Sequence, residues 1–255
     1  MTQERPSGRS DSQPLLALLP NMVTMLGLCA GLTAIRLVLA GRFELAVALI
    51  VFSAAIDGLD GQLARRLRAT SDIGAQLDSL SDFLNFGVAP GLIVYQYALA
   101  SSERMGSWVV VLIYVSCACL RLARFNVDDG RAKLAGTKPA AHFTGVPAPA
   151  GAMLALLPVV AAFETGWTPA THPVLTGVWL LLVGGLMISR LPTPSLKSLR
   201  VPRERSGLIL LAMALVIGAL FTRFWLSLIV LTLIYIVILL HSAGKVLAAR
   251  GIRQH

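Results

Sequence analysis

The chain has 255 residues, of which 56% are hydrophobic and 14% are charged, and its formal net charge is +9. This composition is typical of a polytopic membrane protein and argues against a soluble globular domain. The basic excess does not indicate a nucleic-acid-binding protein, because the Lys and Arg residues cluster between apolar runs, where they fix orientation and contact anionic lipid. The three cysteines lie in apolar runs without metal-ligand spacing, so we expect no disulfide framework.

Eight apolar runs follow a polar N-terminal segment, 1–14, that we expect to be a disordered tail. Each run is near the ~20 residues that a helix needs to cross a bilayer. The runs lie at 20–40, 43–65, 75–99, 107–126, 147–164, 173–190, 207–222 and 224–241. The sequence therefore predicts an all-α polytopic membrane helix bundle. Its parts are a six-span domain over 15–206, two further spans over 207–241 and a basic tail over 242–255.

Basic residues are distributed unevenly between the two sides of this predicted bundle. With eight crossings, 18 of the 22 Lys and Arg residues fall on one side, which also carries both chain ends. Because cytoplasmic loops are enriched in Lys and Arg, we expect both termini in the cytoplasm. Six spans with a re-entrant hairpin over 207–241 give the same sidedness and remain an alternative.

Four aspartates lie within or at the ends of the second and third apolar runs: Asp57, Asp60, Asp78 and Asp82. One charged side chain at mid-bilayer costs about 2.5–3.5 kcal/mol on insertion scales, so such residues are usually functional. The spacings of three and four residues place each pair on one helical face. Two such faces together would form an all-oxygen pocket suited to Mg²⁺ or Mn²⁺.

The pattern D-x-x-D-G-x-x-A-R-x(8)-G-x-x-x-D-x-x-x-D resembles the signature of the CDP-alcohol phosphotransferase family. Its fixed positions are Asp57, Asp60, Gly61, Ala64, Arg65, Gly74, Asp78 and Asp82. The resemblance implies a membrane enzyme that transfers a substituted phosphate from a CDP-linked donor to an alcohol and releases CMP. Two alternatives stay open, a structural salt-bridge network with the nearby arginines and an ion-coupled transporter. Neither accounts for the glycines of the pattern.

The resemblance also implies roles for individual residues. Asp57, Asp60 and Asp78 are expected to bind the divalent metal, while Asp82 is the expected general base and a further metal contact. The first run opens with P-N-x-x-T, which is common in this family and is also a plausible helix start with Pro in the first turn. The donor nucleotide and its phosphates are expected to contact Asn21, Thr24, Asp57, Gly61, Arg65 and Gly74.

Three further motifs indicate the acceptor alcohol. R-L-A-R-F-N at 121–126, F-T-G-V-P-A-P at 143–149 and S-L-K-S-L at 195–199 resemble the branch that joins CDP-diacylglycerol to L-serine. Arginine pairs with carboxylates through two hydrogen bonds, so a carboxylate-bearing acceptor fits this reading. The expected acceptor-binding residues are Arg121, Arg124, Asn126 and Lys197.

Other interpretations of these motifs remain open. The two arginines could be topological anchors at a span end, and the branch that accepts glycerol 3-phosphate is the second candidate. We expect Gly145 and Pro147 to shape the start of the fifth span. Family resemblance also suggests a homodimer.

Overall fold

The structure, a computed structural model, describes residues 18–67, 71–100, 105–135, 143–189, 192–193, 214–216 and 218–251. Its helices are α1 (Leu19–Leu39), α2 (Phe43–Leu67), α3 (Asp72–Asp82), α4 (Ala89–Val94), α5 (Met105–Leu134), α6 (Ala148–Thr165), α7 (Pro173–Ile188) and α8 (Phe224–Gly251). A short 3₁₀ turn, Pro169–Thr171, precedes α7. Two-residue strands, β1 (Phe143–Thr144) and β2 (Pro192–Thr193), pair antiparallel. The predicted all-α membrane bundle is confirmed.

Four described helices are long and apolar enough to cross a membrane: α1, α5, α6 and α8. α7 is apolar but has 16 residues, and α2 carries two of the aspartates near its end. Of the predicted span 207–222, only 214–216 and 218–222 lie within the described residues, and both are helical. α5 and α8 continue past the predicted ends of their apolar runs, because Ala, Leu, Lys and Arg favour helix where the hydrophobic run has stopped.

The third apolar run forms one unbroken helical path that the sequence pattern did not fully predict. α3 passes through a π-helical turn, Phe83–Val88, into α4, and a second π turn, Tyr95–Leu99, follows. At the first turn the N–H of Ala89 bonds to the carbonyl of Leu84, five residues earlier. Each π turn changes the helical phase, and hence the faces that the following residues present.

Prolines interrupt the hydrogen bonding of two helices, and aromatic side chains of neighbouring helices complete it. Pro90 cannot donate to the carbonyl of Phe86, which instead accepts from the Tyr114 hydroxyl of α5 at 2.9 Å. Pro158, inside α6, likewise cannot donate to the carbonyl of Leu154. The indole Nε1–H of Trp179 in α7 donates to that carbonyl at 2.8 Å. In lipid an unsatisfied backbone group is expensive, so these contacts stabilise the bundle as well as pack it.

A chain of edge-to-face aromatic rings joins four segments at one end of the bundle. Phe43 contacts Tyr97, Tyr97 contacts Phe163, and Phe163 contacts Trp225, with ring centroids 5.0, 5.5 and 4.8 Å apart. These rings belong to the start of α2, the second π turn, the end of α6 and the start of α8. They fix the start of α8 at this end, which we call the aromatic end. The aspartates lie towards the opposite end.

Candidate active site

α2 and α3 bring the predicted metal-binding carboxylates together. Asp57, Asp60 and Asp78 each offer a carboxylate oxygen, and these oxygens all lie within 4.8 Å of one another. Asp82 lines the same cleft as these three aspartates, which adds the fourth predicted residue to the cluster. Asp60 is only 5% exposed. A cleft between α1, α2 and α3 contains all four side chains.

The start of α3 is fixed by its cap and by a close approach to α1. Ser71 is the N-cap, and its hydroxyl oxygen accepts from the Gly74 N–H at 3.0 Å. A Cβ on Gly74 would lie 2.7 Å from Oδ1 of Asn21, so the Asn21 carboxamide would have to move if residue 74 had a side chain. The structure therefore brings Asn21 and Gly74 together, and their contact with the donor remains a prediction.

Thr24 contacts a carboxylate of the cluster directly. It is buried on α1, and its hydroxyl donates to Oδ2 of Asp60 at 2.8 Å while lying 3.1 Å from the carbonyl oxygen of Pro20. This hydrogen bond fixes the orientation of the Asp60 carboxylate. A contact between Thr24 and the donor nucleotide remains a prediction.

Three polar residues that sequence reasoning missed line the cleft beneath the aspartates. The carboxamide nitrogen of Asn85 donates to the hydroxyl oxygens of Ser53 and Ser81 at 2.6 and 3.1 Å. A Cβ at Gly31 would overlap the Asn85 carboxamide, so α1 must present glycine there. We call Ser53, Ser81 and Asn85 the polar floor.

A sequence signal for the polar floor existed. Ser53 precedes Asp57 by four residues, while Ser81 and Asn85 each follow an aspartate of the pattern by three. Such spacings place side chains on one helical face. Small polar residues are also common in helix-packing interfaces of membrane proteins, so this spacing alone does not assign them to a site.

The two predicted acceptor arginines have different surroundings. Arg121 is partly buried on α5, and its guanidinium interacts electrostatically with the carboxylates of Asp82 and Asp57. It also lies 5.9 Å from the ring centroid of Phe125. Arg121 is therefore the predicted acceptor residue that the fold brings to the carboxylate cluster.

Arg124 instead contacts the end of α7. Its guanidinium donates to the carbonyl of Ile188 at 2.9 Å, with the carbonyl of Ser189 at 3.5 Å. The last carbonyls of a helix lack partners within the helix, so an arginine there caps it. Gly145 lies beside this contact with φ +85°, and a Cβ there would lie 2.5 Å from the carbonyl oxygen of Met187. Only glycine fits, in agreement with the expectation that Gly145 shapes the start of α6.

The remaining predicted site residues are placed less completely. Asn126 accepts a hydrogen bond from the Ser79 hydroxyl at 3.1 Å, which joins α5 to α3 beside the cluster. Gly61 directly follows Asp60 in α2 and is partly buried. The side chain of Arg65 and the whole of Lys197 lie outside the part of the chain that the structure describes.

The cluster has the chemistry of a site for a hard divalent cation. Mg²⁺ and Mn²⁺ prefer oxygen ligands, and Asp57, Asp60 and Asp78 supply three carboxylates within reach of one ion. Three carboxylates this close repel one another, and a divalent cation offsets that repulsion. The donor set therefore fits the metal that the sequence pattern implies.

Comparison with known proteins agrees with this geometry. The family model described as CDP-alcohol phosphatidyltransferase matches residues 17–188. The chain belongs to this family. The matched segment runs from α1 to the end of α7 and contains the complete aspartate cluster, whereas α8 lies beyond it.

Three relatives illustrate the likeness, and each carries the name CDP-diacylglycerol–serine O-phosphatidyltransferase. The protein of Mycobacterium leprae is 39% identical over 87% of this chain and 73% of its own length. That of Mycobacterium tuberculosis H37Rv is 38% identical over 98% of this chain and 85% of its own. The Bacillus subtilis protein is 31% identical over 74% of this chain and 97% of its own.

Proposed function

We propose that this protein is a CDP-diacylglycerol–serine O-phosphatidyltransferase of the bacterial cytoplasmic membrane. The observation that carries the proposal is the carboxylate cluster of Asp57, Asp60, Asp78 and Asp82 with the Arg121 guanidinium beside it. The names of its relatives support the same reaction. This transfer needs acidic groups that hold a metal ion and take up a proton, which the aspartates supply. It also needs a positive charge to bind the carboxylate of serine, which Arg121 supplies.

Asp57, Asp60 and Asp78 would hold Mg²⁺ or Mn²⁺ near the donor pyrophosphate. When bound, the cation offsets the negative charge of the donor and of the departing CMP. Thr24 keeps the Asp60 carboxylate turned towards this position through its hydrogen bond. The polar floor packs below and separates the carboxylates from the apolar interior.

Asp82 would act as the general base on the acceptor. A hydroxyl is a weak nucleophile at neutral pH, so a positioned carboxylate that takes its proton assists the attack. The serine hydroxyl oxygen forms a bond to the phosphorus that carries diacylglycerol. The bond from that phosphorus to the bridging oxygen breaks, CMP leaves with the electron pair, and the hydroxyl proton passes to Asp82.

Arg121 would bind the serine carboxylate, while Arg124 supports the site from a distance. Arg121 lies close enough to Asp82 for their charges to interact, so an acceptor held by Arg121 would have its hydroxyl near the base. Arg124 caps α7 and fixes that helix end against α5. We therefore assign Arg124 a positioning role, and we retain Asn126 and Lys197 as candidate acceptor contacts.

We place the site at the cytoplasmic face, with both termini on that side. The predicted distribution of Lys and Arg supports this orientation, and CDP-linked donors and serine are cytoplasmic. A homodimer also remains part of the proposal, on the strength of family resemblance.

The test is release of CMP from CDP-diacylglycerol by the purified protein with L-serine, glycerol 3-phosphate, inositol or choline as acceptor. We expect release with serine, in step with formation of phosphatidylserine. Asp128→Asn changes an exposed acid farther along α5 and should leave the rate unchanged. Preference for glycerol 3-phosphate would instead establish the second candidate, and absence of release with every alcohol would contradict the proposal.

A further inference from the structure

The hydroxyl of Tyr235, on α8, is buried without a hydrogen-bond partner among the residues that the structure describes. Its ring packs against the buried core of the bundle. Leaving a buried hydroxyl unpaired costs about 1–3 kcal/mol, and native proteins retain few such groups. A residue that only filled space here would be phenylalanine. The hydroxyl therefore needs an explanation beyond packing.

Tyr235 lies in the same half of the bundle as the aspartates, to judge from the helix ends that meet at the aromatic end. α2 and α8 both begin at the aromatic end, where Phe43 and Trp225 belong to the same chain of rings. At about 1.5 Å per residue, Tyr235 lies roughly 16 Å along α8 and Asp57 roughly 21 Å along α2. By this count Tyr235 lies about one helical turn from the level of Asp57.

Tyr235 and the carboxylate cluster have Arg121 as a common neighbour. The Tyr235 hydroxyl lies within electrostatic range of the Arg121 guanidinium, and Asp82 and Asp57 also lie within range of that guanidinium. α8 packs against α6 and β2, on the side of the bundle that carries the Gly145 turn. A helix outside the segment matched to the family model therefore carries a buried polar group within electrostatic range of Arg121, the proposed acceptor residue.

We propose that Tyr235 is a specificity-determining residue that donates its hydroxyl hydrogen to the carboxylate of the acceptor bound at Arg121. The inference rests on the proposed function, since it takes L-serine as the acceptor. A guanidinium and a phenol hydroxyl together offer donors to both oxygens of one carboxylate. The same bond satisfies the hydroxyl that is otherwise unpaired.

This arrangement makes α8 a discriminating element for the acceptor. Amino alcohols without a carboxylate would leave both donors without their partner, which is the usual physical basis of strong discrimination at polar sites. The transfer chemistry itself remains with α2 and α3. Removal of the Tyr235 hydroxyl should thus have a large effect on the preference among acceptor alcohols. Its effect on the rate of donor cleavage should be small.

The experiment compares Tyr235→Phe with the wild-type full-length protein in detergent micelles that contain CDP-diacylglycerol and Mg²⁺. Tyr95→Phe is the matched control, because it also removes a tyrosine hydroxyl. The ring of Tyr95 contacts Trp108, which lies well before Arg121 on α5 and thus away from the proposed acceptor site. We expect the serine KM of Tyr235→Phe to rise at least ~10-fold, as for loss of a hydrogen bond to a charged group. The KM for CDP-diacylglycerol should stay within about twofold of wild type, because the proposed hydrogen bond is made to the acceptor and not to the donor.

Serinol, which lacks the carboxylate, separates recognition from general damage. The wild-type preference for serine over serinol should fall at least ~10-fold in Tyr235→Phe, because only serine loses a bond. The melting temperature should be unchanged or higher, since the hydroxyl has no partner to lose in the free protein. An unchanged serine KM, equal losses for both alcohols, or a lowered melting temperature would each overturn the assignment. If wild type does not use serine at all, the proposed function fails instead.

Discussion

Individual side chains in the cleft divide into those that carry charge and those that orient it. The Thr24 hydroxyl is bonded to Asp60, whereas Asn85 joins Ser53 to Ser81 below the carboxylates. The Thr24 hydroxyl thus fixes the orientation of a carboxylate without bringing a positive charge into the site. Such outer partners commonly influence metal affinity as strongly as some ligands do.

Substitutions of Asp60 and Asp82 should affect different steps. Asp60→Asn removes a proposed metal ligand, so we expect at least a ~100-fold loss of activity at low Mg²⁺ that higher Mg²⁺ partly restores. Asp82→Asn removes the proposed base, and more Mg²⁺ should not restore its turnover. Rates of CMP release over a range of Mg²⁺ concentrations measure both effects.

The control for this pair is Asp128→Asn, which should follow the wild-type Mg²⁺ dependence. Wild-type activity should also disappear in excess chelator and return with Mg²⁺ or Mn²⁺. Full activity in chelator would refute the metal site, and Mg²⁺ rescue of Asp82→Asn would place Asp82 among the metal ligands.

The sequence predicted that the acidic side chains come together, but not that Arg121 and Arg124 have different surroundings. The reason is physical. The carboxylates follow helical spacing within two neighbouring helices, so a local pattern suffices to place them on common faces. The partners of Arg124 are the carbonyls of Ile188 and Ser189, more than sixty residues later. No local pattern encodes that contact, and Arg121 and Arg124 therefore look equivalent in the sequence.

At the scale of helices, the different surroundings of the two arginines lead to a measurable contrast. Arg124→Ala removes the cap of α7, so the melting temperature should fall, by an amount that corresponds to about 1.5–3 kcal/mol for a lost charged hydrogen bond. Arg121→Ala should leave stability largely unchanged but raise the serine KM about 10–150-fold. Thermal unfolding in detergent and serine titrations separate the two outcomes. A normal serine KM in Arg121→Ala would mean that Arg121 is a topological anchor at a span end and not an acceptor-binding residue.

The proline sites in the helices offer a test of how the bundle is held together. Trp179→Phe keeps an aromatic ring but leaves the carbonyl of Leu154 without its donor, which should destabilise the protein by about 1–3 kcal/mol. Trp108→Phe is the matched control, because Trp108 is 42% exposed and makes an edge contact with Tyr95. Unfolding in detergent compares the two variants, and equal stability would mean that the indole hydrogen bond contributes little.

Other helical features were not accessible from the sequence. The π turns at Phe83–Val88 and Tyr95–Leu99 lie within a run whose apolar pattern fits an ordinary helix, since one extra residue per turn barely changes the local composition. Pro90 indicates that the helical hydrogen bonding is interrupted in this run, but it does not indicate a π turn. Its partner Tyr114 belongs to α5, so the repair depends on tertiary packing.

At the scale of the whole molecule, the proposed orientation can be tested by labelling single cysteines. In a background without the three native cysteines, Asp128→Cys lies at the site end of α5, and Thr168→Cys lies between α6 and α7 at the aromatic end. We expect a membrane-impermeant maleimide to label only Thr168→Cys in intact cells, because basic loops are retained in the cytoplasm. Asp128→Cys should react after permeabilisation. Labelling of Asp128→Cys from outside would reverse the proposed orientation.

The aromatic donors opposite Pro90 and Pro158 also constrain the order in which such a protein can change during evolution. Proline at residue 158 leaves the carbonyl of Leu154 without a helical donor, and Trp179 supplies one, so we expect the two residues to change together in evolution. With proline at residue 158, loss of Trp179 leaves the carbonyl of Leu154 without a hydrogen-bond donor. With alanine at residue 158, the N–H of that residue would donate to the same carbonyl, and residue 179 could vary without this cost. Each proline thus makes the loss of an aromatic residue on another helix costly: Pro90 that of Tyr114, and Pro158 that of Trp179.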